Sequence, residues 1–301
     1  MSLTLIGEQL TAVVGSVFFV VGFIGNGINI FIFSGTIVER RNCCSFYLLT
    51  ASIINTLYLC IILIPRIETA TSGIDLTRSS RIWCKVRPLF TGSLPPMSLT
   101  CACLSIIDQF ISTSKNFRLR QYSNMKLARR IIIVFLIIWI IHGIIASIFY
   151  EITPTRCTSS NAIYAVYTTV YLIVVNGCIP ILIISIFGWL TNRNIRQTQV
   201  LANRQADRQL TKMILMQSIV VVISNMVYGV NNVYRLITTG VTKDINRQIT
   251  ENFVTTIVTL ISYFYSIGSF YIFFISSSQF RRKVKQQLLF YRRQRNQINT
   301  I

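Results

Sequence analysis

Side chains that commonly carry out chemistry are sparse in this chain of 301 residues. It has one histidine, His142, with eight cysteines and nine carboxylates. A metal centre needs several converging ligands, and a hydrolase of the Ser–His type needs an orienting acid beside its histidine. His142 has no acidic neighbour in the sequence. The residues therefore favour a polar helix–helix contact for His142, and we expect neither enzyme activity nor a bound cofactor.

The charges are few and strongly biased towards the basic side. The chain has 29 Lys and Arg against 9 Asp and Glu, a net charge of +20, and only 13% charged residues. A typical soluble domain is about 25% charged. Such a basic chain suits either a nucleic-acid-binding protein or a membrane protein, and the distribution of the charges separates the two.

Uncharged, apolar runs of at least 20 residues recur seven times along the chain. A helix that crosses a bilayer needs about 20 such residues. A soluble fold with buried helices is the alternative, but it rarely contains seven such runs. The sequence thus predicts an all-α membrane protein, a bundle of seven transmembrane helices. The runs lie between Glu8 and Glu39, Arg41 and Arg66, Arg87 and Asp108, Arg130 and Glu151, Arg156 and Arg193, Lys212 and Arg235, and Glu251 and Arg281.

Basic residues mark one side of the predicted bundle. The stretches 36–44, 108–130, 191–212 and 281–301 hold 20 basic and 3 acidic residues, and the stretches on the other side hold 9 basic and 6 acidic ones. Because Lys and Arg accumulate in cytoplasmic loops, the first set is expected to be cytoplasmic. The division is then an extracellular N-terminus (1–9), a seven-span domain (10–277) and a cytoplasmic segment (278–301), in a multi-pass plasma-membrane protein. The charge marks orientation, and we expect no nucleic-acid partner.

The cytoplasmic segment has the pattern of a short amphipathic eighth helix. Phe280, Val284, Leu288 and Tyr291 recur at helical spacing, and basic residues flank them. Such a helix is expected to lie on the inner leaflet and contact membrane lipid.

The cysteines divide by topology. Only Cys84, which begins the third span, and Cys157, in the loop before the fifth, fall on the predicted outer side. Disulfides persist on the oxidising side of a membrane. This pair is the one plausible bridge, with two free thiols as the alternative.

Several short motifs recur in a fixed order along the spans. They are Gly25-Asn26 in the first span, Asn55 in the second, the spacing from Cys84 to Asp108 in the third, Trp139, Pro180 and Phe280-Arg281. In this order they resemble the motifs of rhodopsin-like (class A) G-protein-coupled receptors over about residues 10–290, with Asn55 at the family's second-span Asp and the Cys84–Asp108 spacing equal to that from the family's disulfide cysteine to its DRY motif. The chain looks like a divergent orphan member near the peptide-receptor branch.

The activation motifs depart from the family pattern. DRY reads Asp108-Gln109-Phe110, and NPxxY reads Ser269-Phe270-Tyr271-Ile272-Phe273. In the family, the DRY arginine holds an acidic residue of the sixth span, and Asp207 lies near the corresponding position of this chain. A bond from Gln109 to Asp207 would be weaker than a charge-assisted one. The resemblance therefore implies either raised basal activity or poor coupling.

The resemblance also implies where partners bind. A ligand, a peptide or a small molecule, is expected between the outer halves of spans three, five, six and seven. The corresponding residues are Thr91, Leu94, Pro95, Met97, Tyr171, Tyr228, Asn231, Asn232 and Tyr263. A heterotrimeric G protein would meet basic inner residues, which are Lys115, Arg118, Arg120, Arg193, Arg196, Arg208 and Lys212.

Two other interpretations stay open. The chain could instead be a seven-span channel or transporter, including a chemosensory channel subunit of inverted orientation. The outer loops are also basic, so an anionic ligand would find donors there, although ordinary solvated loops explain the same charges. The outer basic residues are Arg66, Arg78, Arg81, Lys85, Arg87, Arg156, Arg235, Lys243 and Arg247.

Overall fold

A computed structural model describes residues 2–40, 42–153, 157–159, 161–197, 201–238 and 240–286, and the side chains of 36–40, 78, 201–208, 210, 218 and 222 are outside this description. The helices are α1 (Leu3–Arg40), α2 (Cys43–Tyr58), α3 (Ile64–Ser72), α4 (Leu76–Ser79), α5 (Arg81–Thr113), α6 (Phe117–Arg120), α7 (Met125–Ile148), α8 (Ala162–Ile173), α9 (Ile179–Gln197), α10 (Leu201–Ile237), α11 (Ile245–Ser262) and α12 (Phe264–Ser276). The strands are β1 (Tyr150–Ile152) and β2 (Cys157–Ser159).

Within the described residues, seven helical stretches are long and apolar enough to cross a membrane. They are Leu3–Gly35, Cys43–Ser72, Arg81–Thr113, Met125–Ile148, Ala162–Gln197, Thr211–Ile237 and Ile245–Ser276, here numbered as spans one to seven. In the fourth span Ile133, Ile137 and Ile141 are exposed, while Ala128 and Ala146 are buried. Exposed isoleucines along a whole helix suit lipid and not water. The prediction of an all-α, seven-helix membrane protein is confirmed.

Polar residues at the ends of the apolar runs set where the spans begin. The side chain of Asn42 accepts a hydrogen bond from the Ser45 amide, and Ser80 does the same for Trp83. Asn124 and Asn161 cap the fourth and fifth spans in this way. Because the first amides of a helix have no partner within it, each cap satisfies a donor that would otherwise meet the bilayer.

Prolines change the helical pattern within two spans. A π-helical turn, Leu59–Leu63, precedes Pro65, and a second one, Val174–Cys178, precedes Pro180. Proline has no amide hydrogen, so the carbonyl four residues earlier loses its usual partner. The carbonyl oxygen of Asn176 instead accepts from Asn225 Nδ2 of the sixth span at 3.4 Å.

An apolar cluster packs the inner half of the bundle, meaning the half that carries the predicted cytoplasmic loops. It draws side chains from the first, second, third, fifth, sixth and seventh spans. We call these residues the inner cluster; they are Ile32, Phe33, Cys44, Leu48, Cys103, Ile106, Ile184, Met213, Ile214, Phe270, Phe273, Phe280 and Val284.

Residues 278–286 are helical and begin directly after the seventh span. Phe280 and Val284 pack in the inner cluster, so this part of the apolar face contacts the bundle and not the membrane lipid that the sequence pattern led us to expect. Arg281 Nη1 donates to the carbonyl oxygens of Phe274 and Ile275 at 2.9 and 3.0 Å. These bonds give partners to two carbonyls in the last turn of the seventh span. Leu288 and Tyr291 lie outside the described residues, so the full length of this helix stays a prediction.

The third and fourth spans approach each other closely at Gly143. A Cβ atom added there would collide with the backbone carbonyl oxygen of Leu89, which cannot move like a flexible side chain. A Cβ atom added at Gly27 would meet nothing within 4 Å.

We therefore expect Gly143→Ala to destabilise the bundle by about 1–3 kcal/mol, the usual range for overpacking. Gly27→Ala is the matched control and should leave the unfolding midpoint unchanged or slightly raised, since alanine favours helix. Thermal unfolding in detergent micelles measures both. Equal midpoints for the two variants would contradict the close approach.

Candidate functional site

A disulfide holds the second outer loop over the third span. Cys84 and Cys157 are bonded, with their Cα atoms 5.7 Å apart, which confirms the predicted pair. Cys157 begins β2, which pairs antiparallel with β1 so that Ile152 lies opposite it. The hairpin therefore lies over the outer end of the bundle, and its residues form one wall of the cavity described next.

The outer cavity has a volume of about 790 Å³ and lies between the third, fifth, sixth and seventh spans and the hairpin. Three of the residues predicted for a ligand pocket line it: Thr91, Tyr228 and Asn232. Its walls are largely polar, whereas binding cavities are usually mostly apolar. Burial raises the pKa of Tyr150, another lining residue, to about 12.

Glu251 lines the outer cavity at the start of the seventh span and is the centre of a hydrogen-bonded group. It accepts from Lys243 Nζ at 2.6 Å, from Arg247 Nε at 3.0 Å and from the Tyr234 hydroxyl at 2.9 Å. These bonds tie the sixth span to the start of the seventh. Sequence reasoning counted these charges only as loop residues, although the i,i+4 spacing of Arg247 and Glu251 was a signal that the two side chains could pair.

The other residues predicted for the pocket lie elsewhere. Leu94, Met97 and Tyr263 pack in apolar clusters, and the Tyr263 ring lies 5.6 Å from that of Tyr58. The Asn231 amide donates to Thr255 Oγ1 at 3.4 Å. Pro95 is partly buried in the third span. These residues shape the bundle beneath the cavity and do not line it.

His142 compensates for the double proline of the third span. Pro95 and Pro96 have no amide hydrogens, so Thr91 and Gly92 lose their helical donors. His142 Nδ1 lies 3.0 Å from the Gly92 carbonyl oxygen. That oxygen can only accept, so Nδ1 carries the proton, and in the neutral ring Nε2 accepts from the Tyr167 hydroxyl, 3.0 Å away.

Tyr171, which was predicted for the pocket, belongs to the same contact. Its ring stacks on the His142 ring with centroids 4.4 Å apart. The interpretation of His142 as a polar helix–helix contact agrees with these distances. The described residues contain no group of three or more His, Cys, Asp or Glu side chains that could hold a metal.

Buried polar groups link the first span to the seventh and, separately, the second span to the third. Asn26 Nδ2 donates to the Ser266 carbonyl at 2.8 Å, and Asn29 Nδ2 to Ser269 Oγ at 3.1 Å. Ser98 Oγ donates to Asn55 Oδ1 at 2.7 Å. Ser269 thus belongs to this network and fixes the seventh span against the first.

The predicted switch residues occupy several inner contacts. Asp108 accepts from Ser123 Oγ at 2.7 Å, which ties the third span to the second inner loop. Gln109 is buried, and its Oε1 has no hydrogen-bond partner among the described residues. Phe110 packs edge-on against Phe187, with centroids 5.5 Å apart. The Asp207 side chain lies outside the described residues, so a Gln109–Asp207 bond stays a prediction.

Phe270 and Phe273 both enter the inner cluster and meet the Phe280 ring at 6.0 and 5.8 Å. The variant NPxxY segment thus packs the base of the seventh span onto the following helix. The structure brings these two switch residues together by apolar contact.

A clasp that sequence reasoning missed joins α10, just before the sixth span, to the residues that directly follow the seventh. Gln209 Oε1 accepts from Ser277 Oγ and from the Gln279 amide, each at 2.9 Å. Its Nε2 donates to Ser278 Oγ at 3.0 Å. Neither a charge nor a known motif marks Gln209, so only the fold reveals the contact.

The basic residues predicted to face a transducer are exposed on the inner side, apart from Arg208, whose side chain lies outside the described residues. Arg120 lies over the Phe117 ring and Arg193 over the Trp189 ring, each at 5.8 Å. The exposed residues are Lys115, Arg118, Arg120, Arg193, Arg196 and Lys212.

Together these features define a multi-pass membrane protein of the seven-span kind, with a cavity at one end and a packed cluster at the other. No protein-family model matches the chain, and no curated protein does. The resemblance to rhodopsin-like receptors therefore rests on the motifs quoted above.

The two amide variants of His142 test its role. Asn places its amide nitrogen near the Nδ1 position and retains the donor to Gly92, whereas Gln places it near Nε2 and loses that donor. We expect His142→Gln to be less stable than His142→Asn by about 1 kcal/mol. Thermal unfolding of the purified variants measures the difference. Equal midpoints for His142→Gln and His142→Asn would count against the contact.

Proposed function

We propose that this protein is a receptor that binds an extracellular ligand and signals to a heterotrimeric G protein. The outer cavity carries the proposal. It lies between the four spans where the resemblance expects a ligand, it is covered by a disulfide-held hairpin, and its walls offer hydrogen-bonding groups. A peptide or a small molecule could bind such groups.

The inner half supports a response that depends on movement of helices. The inner cluster closes this half with apolar side chains, and the Gln209 clasp holds the sixth span against the seventh. Exposed basic side chains of the second and third inner loops surround this region. Release of the sixth span would open a surface beside them, to which an acidic transducer could bind.

A carrier or channel is the alternative from another class. A coupled carrier needs ionisable groups paired near the middle of the membrane. The ion pairs found among the described residues both involve Glu251, at the outer end. This position suits the wall of a binding cavity, and so favours the receptor.

Breaking the clasp should raise basal signalling. Gln209→Ala removes three hydrogen bonds that hold the sixth span inward, and we expect G-protein recruitment without ligand to rise severalfold. Gln197→Ala, an exposed glutamine on the inner side, is the control. Recruitment in living cells measures the effect relative to surface expression. If basal recruitment stayed at the wild-type level in well-expressed Gln209→Ala, the clasp would have no part in a switch.

Topology has its own test. The charge distribution predicts that residue 1 lies outside the plasma membrane. An epitope tag there should be labelled on intact cells, and a tag after residue 301 only after permeabilisation. The reverse pattern would support the inverted chemosensory channel subunit instead.

A further inference from the structure

A second cavity adjoins the outer one. It has a volume of about 450 Å³ and lies between the outer ends of the first, second, third and seventh spans. Arg87 and Asn252 line both cavities, so the two meet at these side chains. Ile62, Trp83 and Phe253 give the second cavity an apolar wall.

Two arginines line this second cavity. Arg66 lies near the outer end of the second span. Its side chain is partly buried, and its Nε atom is fully buried with no hydrogen-bond partner among the described residues. An unpaired donor of this kind has lost its hydration without replacement, a cost that a ligand oxygen could offset.

The two carboxylates that line the second cavity, Glu8 and Asp75, form no described ion pair with Arg66 or Arg87. Asp75 instead caps α4, where it accepts from the amide and hydroxyl of Thr77 at 2.9 and 2.7 Å. Both arginines therefore line one cavity, and neither has an ion-pair partner among the described residues.

We propose that the second cavity binds an oxyanion group of the ligand, a carboxylate or a phosphate, between Arg66 and Arg87. Guanidinium groups bind such oxyanions through paired, charge-assisted hydrogen bonds. The apolar wall would hold the adjoining part of the ligand, and the outer cavity would hold the remainder. That this oxyanion belongs to a signalling ligand rests on the proposed function. Binding of the oxyanion itself does not require that the protein couple to a G protein.

The purified full chain in neutral detergent provides the test. Sodium acetate and inorganic phosphate are titrated separately at constant ionic strength against chloride, and the midpoint of thermal unfolding is recorded. We expect a saturable rise in the wild type because an anion that binds the folded state stabilises it. The anion that acts at the lower concentration distinguishes carboxylate from phosphate recognition.

Three variants locate the site. Arg66→Gln and Arg87→Gln should each raise the half-saturating concentration on the order of tenfold, the effect of losing one charge-assisted contact. Arg66→Gln without anion should be at least as stable as the wild type because it removes a poorly solvated charge. Arg81→Gln changes an exposed outer arginine that lines neither cavity, and it should respond as the wild type does.

The proposal is overturned if the wild type shows no saturable response, or if all three variants respond alike. G-protein recruitment, measured separately in cells, keeps this outcome distinct from failure of the proposed function. A chain that binds acetate or phosphate through Arg66 but recruits no G protein would retain the anion site and lose the receptor assignment. A chain that recruits a G protein but shows no response to acetate or phosphate would retain the receptor assignment and lose the anion site.

Discussion

The structure depends on one constraint: a hydrocarbon layer offers no hydrogen bonds to the backbone. Each amide and carbonyl within a span must find a partner inside the protein. Regular helix satisfies most of them, and asparagine or serine caps satisfy the first turns of several spans. At two of the carbonyls that a proline leaves without their usual donor, a side chain of a neighbouring helix contributes one. His142 does so for Gly92, and Asn225 does so for Asn176.

These repairs have a consequence for how the helices pack. A proline-containing helix in lipid is fixed to whichever helix contributes the donor, so the third span is tied to the fourth and the fifth to the sixth. Gly143 allows the close approach that the first of these pairs needs, since a larger residue would meet the Leu89 carbonyl. In this bundle the side chains that donate to the unpaired backbone carbonyls are therefore also the side chains that hold neighbouring helices together.

The two ends of the bundle differ in how they are held together. The outer end is held by a disulfide and by the ion pairs of Glu251, around cavities with polar and charged walls. The inner end is held by packed aromatic and aliphatic side chains and by the neutral bonds of Gln209. Neutral bonds and apolar contacts can separate without leaving charges exposed to hydrocarbon. This difference supports the proposal that the outer end binds a ligand and the inner end moves.

The amino-acid sequence by itself determined the seven spans and their order. Spans follow from local composition, because 20 uncharged residues suffice to predict a crossing helix, and the disulfide follows once topology leaves two cysteines on one side. The tertiary structure decided which side chains meet. Thr91 lines a cavity while Tyr263 packs beneath it, although both were plausible pocket residues. The Gln209 clasp had no sequence signal at all. The rotation and tilt of each helix decide such contacts. Rotation and tilt arise from packing among segments that are distant in the sequence, so the composition of a single segment does not predict them.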